Sequence, residues 1–154
     1  MRSTHAAALI RGAREDVQLT QAELASAAGI HQPTLAAYES GKRQPSAETL
    51  RRILLAARTR PSIPLAIFAA EIRDSAQAHG LDDVRVFGST LSGADTEHSD
   101  IDLLVRTRPG TSIFDLGAFA LDVEDLTGFR VDVITETQAA NEHFSHVLAE
   151  AVRV

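Results

Sequence analysis

The sign of the charge changes partway along the chain, and this change constrains what the chain can fold into more than any other feature. Residues 1–60 carry nine Lys and Arg against five Asp and Glu, a net charge of +4. Residues 61–154 carry six against sixteen, a net charge of −10. The change coincides with segment 60–64, whose two prolines interrupt helices and stiffen connections. We therefore predict a basic domain over 1–60 and an acidic domain over 61–154, joined by a linker.

The composition excludes several kinds of site. The chain contains no cysteine, so it has neither disulfides nor a thiol nucleophile, and a metal could be bound only through oxygen or imidazole ligands. No apolar run approaches the roughly 18 to 20 residues of a membrane helix, and the first residues lack the apolar core of a signal peptide. We therefore expect a cytoplasmic protein without a membrane partner.

The basic domain has the pattern of short helices joined by tight turns. Thr20 and Glu23 form a capping box, which predicts a helix over Gln21–Ala28. After a turn that contains Gly29, a second helix is predicted over Gln32–Glu39. Further helices are predicted before and after this pair. Two short helices joined in this way can place the second one in a DNA major groove.

Three segments of this domain, Val17–Ala25, Gly29–Leu35 and Tyr38–Ser46, resemble the lambda-repressor-like (XRE) helix-turn-helix family. Domains of this family usually bind as dimers to two-fold half-sites, so we expect operator DNA as a partner and a homodimer. The resemblance implies DNA contacts from seven residues: Gln21 to a phosphate, Gln32, Pro33, Thr34 and Ala37 in the groove, and Lys42 and Arg43 to the backbone.

The chemistry of these side chains agrees with part of that assignment. The amide of Gln32 can pair with N6 and N7 of adenine, and Pro33 or Thr34 can contact a thymine methyl group. Ala36 and Ala37 are short where many relatives carry longer polar side chains. We therefore expect DNA shape to contribute more to specificity than direct readout by this helix.

The acidic domain has the pattern of an α/β domain. The predicted fold class is thus an all-α helix-turn-helix domain followed by an α/β (α+β) domain. The expected elements, in order, are a helix from Leu65 to His79, strand Val84–Phe87, a loop over Gly88–Ser99, strand Ile101–Val105, a helix from Ser112 to about Leu126, strand Arg130–Ile134, and a closing helix marked by Phe144, Val147, Leu148 and Ala151.

Three carboxylates carry the chemistry of this domain. Asp100 and Asp102 are two residues apart on a strand and therefore share a face, and Asp132 lies between two valines on another strand. If the two strands are neighbours, the three aspartates converge into an oxygen-only site suited to one or two Mg²⁺ ions. Gly88 would let backbone N–H groups approach a phosphate, and Ser89 would add a hydroxyl donor.

The spacing of these residues resembles the GSX10DXD signature of the minimal nucleotidyltransferases, in the DNA polymerase β-like superfamily. Gly88 and Ser89 are followed by ten residues and then by Asp100 and Asp102. The resemblance implies transfer of a nucleotide from ATP, with Mg²⁺ at the three aspartates. Asp132 would help to deprotonate the acceptor. Relatives often have an arginine soon after the glycine and serine, whereas residues 90–92 here carry no charge.

The acceptor is expected to come from a partner. Few residues follow Ile134, which leaves no room for a separate substrate domain, so we expect a protein or RNA acceptor. Minimal nucleotidyltransferases are commonly antitoxins paired with HEPN ribonuclease toxins, and some transfer AMP to a toxin tyrosine. The resemblance thus implies an antitoxin that represses its own operon and modifies its cognate toxin. The alternatives are a repressor whose inactive second domain only binds a partner, and a nucleotidyltransferase that acts on tRNA or a small molecule.

Overall fold

A computed structural model describes residues 2–141 and 143–154, and the chain divides into one unit over Met1–Ile67 and another over Phe68–Val154. The helices of the first unit are α1 (Arg2–Asp16), α2 (Gln21–Ala27), α3 (Gln32–Glu39), α4 (Ala47–Ala56) and α5 (Ser62–Ile67). The predicted pair of short helices is therefore confirmed as α2 and α3. The capping box at the start of α2 is also present, since Thr20 and Glu23 exchange side-chain to backbone hydrogen bonds.

One apolar cluster holds the first four helices together. Ile10 of α1, Leu24 of α2, Leu35 of α3 and Ile53 of α4 are all fully buried in it. Burial of each such side chain contributes about 1.5 to 3 kcal/mol. The packing of Leu35 inward fixes which side of α3 remains exposed to a ligand.

Part of the segment predicted as a linker is helical, because α5 begins at Ser62, directly after Arg60 and Pro61. Pro64 is the third residue of α5, where a proline is tolerated because the first N–H groups of a helix have no intrahelical partner. α5 packs against α1 at Gly12, where an added Cβ would lie only 2.6 Å from Cδ1 of Ile67. The first unit therefore extends to Ile67 rather than ending at residue 60.

The second unit combines a mixed sheet with helices. Its elements are α6 (Ala69–Ala78), β1 (Leu81–Phe87), α7 (Ser89–Ser92), β2 (Ile101–Thr107), α8 (Ile113–Thr127), β3 (Val131–Thr135), α9 (Glu136–Ala139), α10 (Ser145–Glu150) and β4 (Val152–Arg153). The strand order is β3-β2-β1-β4, with β2 and β3 parallel and the other pairs antiparallel. This arrangement confirms the predicted α/β class.

The structure differs from the predicted elements at three places. The helix expected from residue 65 to residue 79 is broken at Phe68, which separates α5 from α6. Part of the loop expected over Gly88–Ser99 forms α7. The closing helix ends at Glu150, because Val152 and Arg153 pair with β1 instead. β4 and α9 are too short for a periodic pattern to predict them.

The two faces of the sheet are covered differently. Ile101, Leu103 and Val105 alternate on one face of β2 and are fully buried, and α6 and α8 pack against the sheet. Leu104 points to the opposite face, where it packs with Ala139 of α9 and Val147 of α10. These two short helices cover only one end of that face. The other end carries the aspartates.

The outer edge of β3 is partly blocked by side chains. The ladder to β2 includes the N–H of Ile101 donated to the carbonyl of Arg130, so alternate residues of β3 direct their backbone groups away from β2. The N–H of Val131 donates to Glu124 (3.0 Å), and that of Thr135 donates to Gln138 (2.8 Å). Two outward-facing donors of the edge strand are therefore occupied.

No helix in residues 2–141 and 143–154 combines the length and hydrophobicity needed to cross a bilayer.

Candidate functional site

The start of α3 is tied to the start of α2 by two glutamines. Nε2 of Gln32 donates to Oε1 of Gln21 (3.0 Å), and Nε2 of Gln21 donates to Oε2 of Glu39 (2.8 Å). The residue predicted to contact a phosphate and the residue predicted to contact a base therefore form one hydrogen-bonded chain. Gln32 is exposed, so its amide is accessible at the surface.

An ion pair between Arg14 and the buried Glu39 stabilises this series of hydrogen bonds. The side chain of Glu39 is 3% exposed and accepts from Nε (2.6 Å) and Nη2 (3.1 Å) of Arg14. Nη2 of Arg11 donates to the carbonyl of Glu39 (2.7 Å). The hydrogen bond to Glu39 raises the pKa of Arg14. Arg14 and Glu39 were missed by the sequence reasoning; a charged residue within the apolar stripe of α3 was the available signal.

The remaining predicted DNA contacts surround the exposed start and end of α3. Pro33 is exposed and Thr34 and Ala37 are partly exposed, which leaves this side of the helix open. Lys42 and Arg43 are exposed in the following turn. The turn is held by the N–H of Arg43, which donates to the carbonyl of Ala37 (3.1 Å). All seven predicted residues thus lie on α2, α3 or the turn that follows.

The second candidate site lies where the aspartate-bearing strands are neighbours. In the parallel pair β2 and β3, Asp102 is the register partner of Asp132, so the two side chains share a face. Asp100 precedes the first residue of β2 and lies two positions before Asp102. In the antiparallel pair β1 and β2, Asp102 is opposite Phe87, which brings Gly88 next to it.

The backbone at Gly88 admits only glycine. Its φ of 73° and ψ of −150° fall in a region that side chains other than hydrogen rarely allow. A Cβ built there would lie 2.4 Å from Oδ2 of Asp102. The turn from β1 into α7 therefore passes directly against the central aspartate. Ser89 is partly buried and begins α7.

The carboxylates of this site repel one another. Asp102 is partly buried, while Asp100 and Asp132 are exposed. Burial raises the pKa of Asp102, and the negative charges of Asp132 and Asp100 raise it further. Each of these effects would be relieved by a cation, since they penalise the ionised form of Asp102.

The donor set is suited to a hard cation, although the side chains are not closed around one. Three aspartates provide only oxygen ligands, which is the chemistry preferred by Mg²⁺. Within the part of the chain that the structure describes, no three His, Cys, Asp or Glu side chains are grouped closely enough to hold a metal ion. The strand register therefore brings the aspartates close enough to repel one another, but their side chains do not form a completed coordination shell.

A network of charged residues on the same sheet face was not anticipated from the sequence. Arg85 of β1 pairs with Glu136 at the start of α9, and its Nε lies 3.3 Å from Oδ2 of Asp83. Oδ1 of Asp83 in turn accepts from Nε of Arg153 on β4 (2.7 Å). Asp83 has a positive φ of 50° and lies at an irregularity in the β1 register. Such bulges leave no periodic signal in a sequence.

Comparison with protein families gives two matches, one for each unit. A helix-turn-helix family model matches residues 10–64. A nucleotidyltransferase domain model matches residues 69–153. The two matches do not overlap and follow the order of the two units.

Individual proteins match about half of the chain. A protein of Methanocaldococcus jannaschii named "putative protein adenylyltransferase" is 36% identical over 76 residues, which are 49% of this chain and 82% of that protein. A solved structure described as a "putative minimal nucleotidyltransferase" has a TM-score of 0.54 and 36% identity, and the match covers 58% of this chain and 92% of that chain.

Proposed function

We propose that this chain, which belongs to the nucleotidyltransferase domain family and carries a helix-turn-helix DNA-binding domain before it, is a DNA-binding antitoxin. In this proposal it represses its own operon and transfers AMP from ATP, with Mg²⁺, to its cognate toxin. The toxin would be a HEPN-like ribonuclease. The name of the similar M. jannaschii protein, "putative protein adenylyltransferase", supports the choice of nucleotide and acceptor.

One observation carries the catalytic part of the proposal. Asp102 and Asp132 are register partners on adjacent parallel strands, and the turn at Gly88 passes against the carboxylate of Asp102. A phosphate approaching the backbone of Gly88 would therefore be next to the aspartates. Together, a backbone without a side chain and clustered carboxylates are what a nucleoside triphosphate with a divalent cation requires.

Each residue has a distinct role in this proposal. Backbone N–H groups near Gly88 and the hydroxyl of Ser89 would bind the phosphates. Asp132 is exposed and would accept the proton of the acceptor hydroxyl while the hydroxyl oxygen forms a bond to the α-phosphorus. The bond from that phosphorus to the bridging oxygen breaks, and pyrophosphate leaves. Asp100, Asp102 and Asp132 would hold Mg²⁺, which when bound supplies positive charge to the phosphate oxygens.

The DNA-binding part is supported by the exposed amide of Gln32 and the exposed cations of Lys42 and Arg43. A basic unit linked to an acidic one can bind operator DNA and, separately, a protein partner. Repression would follow from occupation of the promoter. A homodimer would place two copies of α3 in successive major grooves, because half-sites of such operators are about one helical turn apart.

Transfer from α-labelled ATP tests the catalytic proposal. The purified full chain is incubated with Mg²⁺, the labelled ATP and the protein encoded by the neighbouring gene. We expect label on that protein, and loss of label with Asp100→Asn. Asp74→Asn is the matched control, because Asp74 is an exposed carboxylate of α6 and lies outside the aspartate cluster.

Two results would contradict the proposal. Label on the neighbouring protein that persists in Asp100→Asn would show that the aspartate cluster is not the site of transfer. Label found only on tRNA or a small molecule would show a different acceptor. Calorimetry of the same preparation checks that the second unit of the Asp100→Asn variant still unfolds as it does in the wild type.

A second function is favoured by the segment after Gly88. Residues 90–92 provide no cation for a triphosphate, and Thr90 is buried with its hydroxyl 3.5 Å from the carbonyl of Asp100. In this alternative the second unit has lost activity and only binds a partner protein, and the chain is a repressor. Neutralisation of the toxin that survives Asp100→Asn, without any labelling, would support it.

A further inference from the structure

Helix α8 carries a row of large apolar side chains that are exposed in the described part of the chain. Phe114 is 83% exposed, Ile113 is 77% exposed and Leu121 is 62% exposed. Gly117 lies between them, and a Cβ added there would meet nothing within 4 Å. Since residues three and four apart share one face of a helix, these four residues form a continuous surface, which we call the α8 stripe.

The α8 stripe is not needed for the packing of its own unit. The opposite side of α8 supplies Phe119 and Val123, which are fully buried. Exposure of single apolar residues is ordinary, but several large ones on one helix face indicate an interaction surface. The absence of a side chain at Gly117 would let a second helix approach the axis of α8 closely.

The charges around the α8 stripe indicate what covers it. All the charged residues of α8 are acidic, and Asp115 and Asp122 are already hydrogen-bonded within their own unit, which leaves the exposed Asp125, with Glu124 beside it, as the acidic rim of the stripe. The unit to which α8 belongs carries sixteen Asp and Glu against six Lys and Arg. A second copy of α8 would place acidic rims against each other, which disfavours self-association. An apolar surface with basic edges would be complementary in both respects.

We propose that the α8 stripe is the docking surface for a basic amphipathic helix of a partner protein. That helix inserts apolar side chains around Gly117 and places Lys or Arg against the acidic rim. The α8 stripe is on the outer side of the helix that covers the sheet face opposite Leu104 and the aspartates, so a docked partner leaves the aspartates accessible. The inference does not depend on whether the aspartates are catalytic.

A hydrogen bond connects the helix that carries the α8 stripe to the strand that carries Asp132. Glu124 lies one turn after Leu121, and its Oε1 accepts from the N–H of Val131, the residue before Asp132. A partner that fixes α8 therefore also fixes the start of β3. This continuity gives a bound partner a physical route to the position of Asp132.

A synthetic helix tests the chemistry of the surface. The probe is a fluorescein-labelled peptide of about 18 residues, long enough to form a helix on binding, with Leu along one side and Lys elsewhere. A second peptide has Glu in place of every Lys. Binding to the full chain is measured by fluorescence anisotropy. We expect binding of the Lys peptide only, and about tenfold or greater weakening by Phe114→Ser or Leu121→Ser.

The matched control is Leu55→Ser, because Leu55 is 58% exposed but lies on α4. It should leave peptide binding unchanged. The proposal is overturned if the Glu peptide binds equally well, or if Phe114→Ser binds the Lys peptide as tightly as the wild type does. It is also overturned if sedimentation shows a dimer that Phe114→Ser converts to monomer, since that result assigns the α8 stripe to a second copy.

Discussion

Replacing Gly88 with alanine tests the close approach between the turn after β1 and the central aspartate. The backbone of Gly88, with φ 73° and ψ −150°, should cost about 1 to 3 kcal/mol for any other residue. The new Cβ would also lie 2.4 Å from Oδ2 and 3.3 Å from Cγ of Asp102. Overpacking of this kind costs about 1 to 3 kcal/mol. We expect Gly88→Ala to lower the free energy of unfolding of the second unit by about 4 kcal/mol.

Gly93→Ala is the control, because it shares the positive φ without the crowding. Gly93 has φ 72° and ψ 13°, and a Cβ there would meet nothing within 4 Å. The left-handed conformation alone costs about 1 to 2 kcal/mol. The difference between the two variants therefore contains the contact with Asp102 together with the extra backbone strain of the Gly88 region, since the two glycines share φ but differ in ψ.

The double variant Gly88→Ala, Asp102→Ala isolates that contact. Asp102→Ala removes the two closest atoms and leaves only the Cβ of residue 102, 3.6 Å away, which is an ordinary contact. A double-mutant cycle with the single variants should show about 1 to 3 kcal/mol of recovered stability. Urea unfolding followed by circular dichroism measures the free energies, and calorimetry identifies the transition of the second unit. A Gly88→Ala loss no larger than that of Gly93→Ala, with no coupling to Asp102, would refute the reasoning.

Three further predictions follow from the described contacts. Because burial and neighbouring carboxylates raise the pKa of Asp102, ionisation destabilises the fold as pH rises; Asp102→Asn should therefore increase the unfolding free energy at pH 7 by about 1 kcal/mol. This gain in unfolding free energy should disappear below about pH 3, where the carboxyl group of Asp102 is protonated and as neutral as the amide that replaces it. Urea titrations at several pH values measure the change. Glu39→Gln should destabilise the first unit by about 1.5 to 3 kcal/mol in the same assay, because it leaves the partly buried guanidinium of Arg14 without its carboxylate. In anisotropy titrations, Gln32→Ala should reduce the preference for operator over unrelated DNA by about tenfold, whereas Arg43→Ala should weaken both and lower the salt slope by about one; equal effects of the two changes would contradict the assignment of contacts.

The sequence predicted those parts of the fold that leave a periodic or capping signal. Thr20 with Glu23 located the start of α2, and the alternation around Asp102 located β2. It did not predict α5, because prolines at the start of a helix and in a linker look alike. Residues 136–139 and 152–153 form elements too short for any period, and only tertiary packing determines them.

The sequence singled out the residues of the candidate site, whose roles stay predictions, but not the contacts that surround them. Asp102 and Asp132 stand out because each lies between two apolar residues of a strand, and Asp100 stands out because it is two positions before Asp102. Neither the crossing of the turn at Gly88 over Asp102 nor the pairing of Arg85 with Glu136 could be read from the sequence. Both depend on which strands become neighbours, and that order is fixed by long-range packing.

The side chains at the outer edge of β3 limit how this protein can associate. An open edge strand offers a row of donors and acceptors to any other extended chain, and recruitment of such strands leads to aggregation. Here Glu124 and Gln138 occupy the donors of Val131 and Thr135, and at the opposite edge β4 is only two residues long. Neither edge is a good template for adding a strand. Partners are therefore selected by side-chain complementarity rather than by strand addition at these occupied positions.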